Sequence, residues 1–232
     1  GLFDSSALAA GGYEVTYSVT DANTCDGSDS ATVTVNVLPE PVAQDASVCL
    51  GATVQLGASP SGGIWSGTGV SPTGLFDTTG LPAGDYEVTY TVTDSNTCVG
   101  ETTATVTINP LPIAEISGIL EICSGSSTTL TASGGTSYEW STGATTAAIT
   151  VGTAGDYTVT VTDGNGCVDE ETVKVIVNDN PTVVAEDASV CLGESIQLSA
   201  TPAGGTWSGT GVSAAGLFDS SALAAGGYEV TY

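Results

Sequence analysis

Residues 85–98 read DYEVTYTVTDSNTC, a run whose side chains alternate in character. Tyr86, Val88, Tyr90 and Val92 alternate with Glu87, Thr89, Thr91 and Thr93. A period of two is the signature of a strand with one buried and one wet face. The β-branched and aromatic residues that fill the stretch suit a half-buried pleated surface. Gly84 precedes it, and the turn residues Asp94 and Asn96 close it just before Cys98. The same unit recurs as GYEVTYSVTDANTC at 12–25 and DYTVTVTDGNGC at 156–167, and begins again at 227–232.

Residues 1–17 (GLFDSSALAAGGYEVTY) are identical to residues 216–232, an offset of 215. A fixed internal period marks a repeat architecture. Shorter units lie inside the long one. Cys49-Leu50-Gly51 matches Cys191-Leu192-Gly193, with Cys123-Ser124-Gly125 in the same slot between them. Three units of roughly 70 residues fit one period. Each unit reads as an opening strand, a first cysteine, a second strand, a short strand carrying Trp65, Trp140 or Trp207, Gly-rich turns, the Tyr strand, and a closing strand. No segment has helical periodicity, and turn signals recur every 8–12 residues, the pattern of a β-sandwich.

The expected class is therefore all-β, as tandem immunoglobulin-like sandwiches strung end to end. A Trp on a central strand and a Tyr that opens a late strand carry this likeness. Core roles are expected for Trp65, Trp140 and Trp207 and for Tyr13, Tyr86, Tyr157 and Tyr228. The expected boundaries are 41–109 and 112–178 for two whole sandwiches. Residues 1–38 form the back part of a third, and 182–232 form a front part that the next 215-residue repeat completes. Linkers carry Pro39, Pro41, Pro110, Pro112 and Pro181, which stiffen a junction. An odd strand count puts the two ends of each sandwich at opposite poles, so each adds roughly 35–40 Å.

Six cysteines at regular spacing suggest a disulfide framework and an oxidising setting. Their positions depart from antibody domains, because the first precedes the second strand and the second follows the Tyr strand. The expected bonds clamp one pole of each sandwich: Cys49–Cys98, Cys123–Cys167, and Cys191 with the Cys25 equivalent of the next repeat. A bond closing a loop of this length stabilises by roughly 4 kcal/mol on the chain-entropy model.

Net charge is −25, from 26 Asp and Glu against Lys174 alone. Phosphate binding normally relies on Lys and Arg, so nucleic acid is not expected as a partner, and an anionic membrane repels the chain. Self-repulsion favours solubility and an extended array. There is no His, which removes Ser-His-Asp and Cys-His catalysis, and the carboxylates fall on exposed faces and turns. The expectation is a non-enzyme. No apolar run is long enough to span a membrane as a helix, so direct insertion is not expected. The chain opens on Gly1 without Met, and a piece of a longer polypeptide is expected.

The Asp-x-Asn turns offer oxygen ligands to Ca²⁺. Asp163 and Asn165, beside Asp169 and Glu170, are the densest such group. Asp and Asn also cap tight turns by bonding their own backbone, and that reading is preferred here. No other cofactor is expected. Ser66-Gly67-Thr68-Gly69 lacks the Lys and helix of a phosphate loop and reads as a turn.

The combination VCLG, WSGTGV, G-x-Y-E-V-T-Y-x-V-T-D-x-N-x-C and Pro-bearing linkers is similar to the Ig-like and PKD-like repeats of giant Bacteroidota cell-surface proteins. These include the gliding-motility adhesins secreted by the type IX system. The resemblance implies an extracellular, cell-surface stalk or filament segment that gives reach and stiffness for adhesion or gliding. It also implies neighbouring repeats as partners, and surface glycans as partners of regions outside this segment. Asp29-Ser30-Ala31 and Asp77-Thr78-Thr79 resemble the sites that Bacteroidota O-glycosylate. Two alternatives stand beside the stalk. One is a spacer or carbohydrate-binding module of a secreted polysaccharide-degrading enzyme. The other is a self-assembling filament subunit joined by strand complementation.

Overall fold

A computed structural model describes Gly1–Tyr232, and every regular element in it is a strand. The Tyr stretch forms Gly84–Thr93, where Val88, Tyr90 and Val92 are buried while Glu87 faces water. Its neighbour Val99–Asn109 returns antiparallel, with Val88 opposite Ala104 and Tyr86 opposite Val106. Ala46–Cys49 joins the far side of Val99–Asn109, and Ile64–Gly67 the far side of Gly84–Thr93, giving a four-stranded sheet. The opposing layer is made of short pairs, Thr53–Gln55 with Leu75–Asp77 and Val42–Ala43 with Ala58–Ser59. This is an immunoglobulin-like sandwich, two sheets over one apolar core.

Leu56, Trp65, Phe76, Val88, Val106 and Ile108 form the heart of that core. Full burial of each is worth roughly 1.5–3 kcal/mol. The Trp65 and Tyr90 rings lie 5.0 Å apart, and the Tyr90 hydroxyl donates to Pro60 O at 2.7 Å and accepts from Gly63 N at 2.8 Å. A side chain at Gly63 would strike both Tyr90 and the carbonyl of Thr91, so the position needs glycine. The Tyr that opens each late strand bonds a carbonyl four residues back: Tyr13 to Ala9, Tyr86 to Pro82, Tyr157 to Thr153 and Tyr228 to Ala224. This tyrosine corner recurs in Ig-like sandwiches, and here all four copies have it.

A second sandwich pairs a three-stranded sheet (Glu115–Ser117, Thr128–Ser133, Ala148–Val151) with a four-stranded one. The latter runs Glu121–Cys123, Val168–Asn178, Gly155–Thr162, Ser137–Trp140. Leu130, Trp140, Val159, Val161 and Val175 are its most buried side chains. By compactness the chain forms two units. One is Gly1–Ile116 with Ala132–Ala147 and Thr158–Glu171. The other is Ser117–Thr131 with Ala148–Tyr157 and Thr172–Tyr232. Residues 112–178, read from sequence as one sandwich, therefore contribute to both.

Two segments do not close a sandwich. Gly11–Thr20 and Asp26–Val35 form an isolated antiparallel ribbon. Near the other end, Val184–Ala185 pairs with Ala200–Thr201, Ser195–Gln197 with Leu217–Asp219, and Ser208–Gly209 with Val230–Thr231. Residues 188–191 match the opening strand Ala46–Cys49 in sequence but adopt no strand. They lack the closing strand that pairs with Ala46–Cys49, and a strand needs a ladder partner for its backbone groups.

Candidate functional site

The features that could act are the cysteine turns and the two unclosed segments. The cysteines require a correction. The bond formed is Cys49–Cys167, with Cα atoms 5.5 Å apart, and Cys25, Cys98, Cys123 and Cys191 are free. Neither Cys49–Cys98 nor Cys123–Cys167 exists. The reason is strand direction. The opening strand runs parallel to the closing strand, so Cys49 lies beside Asn109 and Cys123 beside Asn178, at the closing strand's far end. Cys98 and Cys167 sit in the turns where those 11-residue strands begin. Ten steps at about 3.4 Å put some 34 Å between the two cysteines of one sandwich.

Each cysteine is held in a defined turn. Leu50 N donates to Asn109 O at 2.9 Å and Ser124 N to Asn178 O at 2.8 Å, tying the residue after each first cysteine to the closing strand. Thr78 pins the Cys49 turn: its hydroxyl accepts from Gly51 N at 2.8 Å and donates to Ala52 O at 2.9 Å. Ser220 does the same for Gly193 N at 2.9 Å, and bonds Cys191 O and Glu194 O. Thr78 is 1 % exposed. It is not available as a glycan acceptor, which overturns the glycosylation reading at that residue.

The Asp-x-Asn turns use their carboxylates on their own backbone. Asp163 Oδ1 accepts from Asn165 N and Cys167 N, both at 2.8 Å. Asp21 and Asp94 bind the matching amides of Asn23 and Cys25, and of Asn96 and Cys98. At Asp21 these bonds, that from Cys25 first, hold the carboxyl below the usual aspartate range. Asp169 Oδ2 accepts from Ala114 N and Glu170 Oε1 from Thr160 Oγ1, each at 2.9 Å. The three carboxylates named as Ca²⁺ candidates thus engage separate partners, Asn165 giving its amide to Asp163, and no three acidic or cysteine side chains converge.

The unclosed segments complement each other residue by residue. In the first sandwich, Val88, Tyr90 and Val92 are 1 %, 3 % and 7 % exposed. Their counterparts on the ribbon, Val15, Tyr17 and Val19, are 40 %, 73 % and 51 % exposed. Conversely, residues 182–232 enclose a cleft of about 490 Å³ lined by Val190, Leu198, Trp207, Phe218 and Tyr228 among others. Val48, Leu56, Trp65, Phe76 and Tyr86 hold those places in the first sandwich, against the closing strand with Ala104, Val106 and Ile108. On the ribbon, Ala31, Val33 and Val35 fill the slots of those three.

Trp65, Trp140 and Trp207 are 4 %, 2 % and 7 % exposed. None offers a face for stacking against a sugar. Sequence reading missed Thr78 and Ser220, because a hydroxyl in an Asp-Thr-Thr or Asp-Ser-Ser run reads as a wet turn. Their only signal is that both follow Phe-Asp in the repeat.

No family model matches the sequence, and no curated protein does. Among solved structures, the chain is similar to a Ca²⁺-stabilised adhesin that helps an Antarctic bacterium reach out and bind ice (12% identity, TM-score 0.36). The match covers 75% of this chain and 59% of that one, so this chain spans less than two thirds of the adhesin's length. It is also similar to the fibronectin(III)-like modules of CbhA from Clostridium thermocellum (12% identity, TM-score 0.31, 60% of this chain and 94% of that one). An I-band fragment of titin matches at 10% identity and TM-score 0.33, over 74% of this chain and 80% of that one. No helix is long and apolar enough to cross a membrane.

Proposed function

We propose that this chain is a segment of an extracellular repeat array of the adhesin-stalk kind, in which the third sandwich of each 215-residue period is completed across the period boundary. One observation carries the reading: the bare apolar face of the Gly11–Thr20 ribbon and the 490 Å³ cleft in residues 182–232. Each lacks what the other supplies. Together they hold the strand set of the first sandwich in the same order. A continuous chain would bring them together by running on from Tyr232 into another copy of residues 18 onward, since residues 1–17 and 216–232 coincide. The role is mechanical: acidic, mutually repelling sandwiches with proline-bearing linkers hold a distal binding region away from a surface. Type IX export and gliding motility belong to this proposal through the sequence resemblance.

A tandem chain of two periods tests it. Amide exchange in the second copy of Gly11–Thr20 is expected to slow to the level of Gly84–Thr93, while the first copy exchanges fast. Equal fast exchange in both copies would defeat the reading. A second reading rests on the same two faces: separate chains could donate the ribbon to one another, a head-to-tail contact that does not close. Sedimentation of the single chain separates the two. Concentration-dependent polymers support self-assembly, and a monomer supports the continuous array.

A further inference from the structure

The Cys49–Cys167 bond links the first cysteine of one sandwich to the hairpin cysteine of the next, across the linker at 110–112. The four free cysteines stand in the same two local settings. Cys123 and Cys191, like Cys49, begin a turn in which the amide three residues on donates to the cysteine carbonyl at 3.0 Å: Ser126 to Cys123, Glu194 to Cys191, Ala52 to Cys49. Cys25 and Cys98, like Cys167, close an Asp turn. The cysteine amide donates to the Asp carboxylate at 2.9, 2.9 and 2.8 Å respectively, and the Asp amide donates back to the cysteine carbonyl.

The linker seat repeats as well. Beside Cys167, Ala114 N bonds Asp169 Oδ2 at 2.9 Å, and beside Cys98 the carbonyl of Pro39 lies against Gly100. Gly100 and Asp169 occupy the same position, two residues past the hairpin cysteine. The linker at 38–41 therefore seats beside Cys98 as the linker at 110–112 leads in beside Cys167. The sandwich that linker 38–41 leaves is the one whose first cysteine is the counterpart of Cys191.

We infer that every linker in the array is crossed by a disulfide. Cys123 bonds Cys25 of the following period, and Cys191 bonds Cys98 of the following period. The spacing agrees. Cys25 moved on by one period of 215 falls at 240, which is 117 residues after Cys123, and Cys98 falls at 313, which is 122 after Cys191. The observed separation is 118. The rule replaces the expected pairing of Cys191 with the Cys25 equivalent, which would join the two poles of one sandwich. Each bond forms as two thiols give up two electrons and two protons to a disulfide oxidant, which is reduced to two thiols.

The inference rests on the array proposed above, and one experiment separates their failures. The two-period tandem chain is oxidised with glutathione disulfide, cleaved at Asp and Glu without reduction, and mapped by mass spectrometry. Asp or Glu lies between every successive pair of cysteines in the sequence, with Glu101, Glu115 and Glu121 separating Cys98 from Cys123. The expected cross-linked peptides join Cys123 to Cys25 and Cys191 to Cys98, beside Cys49–Cys167. Replacing Cys25 in the first copy and Cys123 in the second by Ser leaves the first of these intact. Free thiols are expected to stay at four, as in the single chain, although the number of cysteines doubles. Where the second ribbon is protected from exchange but these cysteines stay reduced or pair within one sandwich, the disulfide rule is overturned and the array stands. Where the ribbon is not protected, the array is overturned and the rule with it.

Discussion

Tyr90 and Tyr17 occupy the same slot of the repeat in opposite surroundings, so the same substitution should have opposite consequences. Tyr90 is 3 % exposed, its ring tilted against Trp65 at 5.0 Å, with its hydroxyl bonded to Pro60 O and Gly63 N. Replacing a buried aromatic by Ala costs about 3–5 kcal/mol through lost transfer energy and the cavity left. The two hydrogen bonds add little, because Pro60 is exposed and Gly63 half-buried, and water can replace the phenol there. A sandwich of this size has a total stability on the order of 3–10 kcal/mol, so Tyr90→Ala should remove most or all of it. Tyr17 is 73 % exposed. Full burial would be worth roughly 2–3 kcal/mol, so the quarter that is covered gives less than about 1. The assay is urea unfolding of dilute chain, shown monomeric by sedimentation, followed by tryptophan fluorescence and circular dichroism. Tyr90→Ala should abolish one cooperative transition, and Tyr17→Ala should leave all transitions in place. A loss of about 3 kcal/mol or more from Tyr17→Ala would mean that the ribbon face is covered in the free chain, and the complementarity argument would fall. In the two-period tandem, Tyr17→Ala placed in the second copy should become as costly as Tyr90→Ala.

Further outcomes follow from other features. Reduction, or Cys49→Ser, opens a loop spanning 118 residues; the chain-entropy model sets an upper figure near 5 kcal/mol, so the urea midpoint should fall on adding reductant to the native chain and not move in the variant. Thr97 adopts φ 65° where the second sandwich has Gly166 at φ 83°; since a left-handed residue with a Cβ costs roughly 1–2 kcal/mol, Thr97→Gly should raise stability by up to about 1 after glycine's greater unfolded freedom is deducted, and a loss in thermal melts would contradict this. Asp21 should titrate below the usual aspartate range because Cys25 and Asn23 amides donate to it. Its contribution is present above the unfolded pKa of about 3.9 and disappears as pH falls through the lowered folded value, and NMR titration of the Cys25 amide reads it directly. With the Asp turns bonded to their own amides, 1 mM Ca²⁺ or EDTA should leave the melting temperature unchanged. A site of about 10 µM affinity would instead add about 2.7 kcal/mol and shift the melt by several degrees.

What was legible in the sequence is what depends on near neighbours. The alternation through Tyr86–Val92 names a buried face, Trp65 and Trp140 fall in the core, and the tyrosine corner closes over four residues. The cysteine pairing was misread for a reason that strand order already contained. An opening strand and a closing strand that run parallel in one sheet put the last residue of the former and the residue before the latter at opposite poles. Spacing alone could not correct this, because in a repeat a cysteine one sandwich further on recurs just as regularly. The roles of Thr78 and Ser220 were hidden for another reason. Each reaches a turn some 26 residues away in sequence, and nothing local marks a hydroxyl as buried.

The Cys49–Cys167 bond also decides which residues would feel a pull on the two ends of the chain. Force passes along the opening strand to Cys49, crosses the sulfur bridge and leaves along Val168–Asn178. The 117 residues between the bonded cysteines lie off that route. At up to about 3.6 Å per residue they store roughly 400 Å of slack, which stays locked even if a core melts. A reducing pulse would release it. A chain bridged in this way would resist stretching through its sulfur bond, while the apolar interior serves to hold that bond in place.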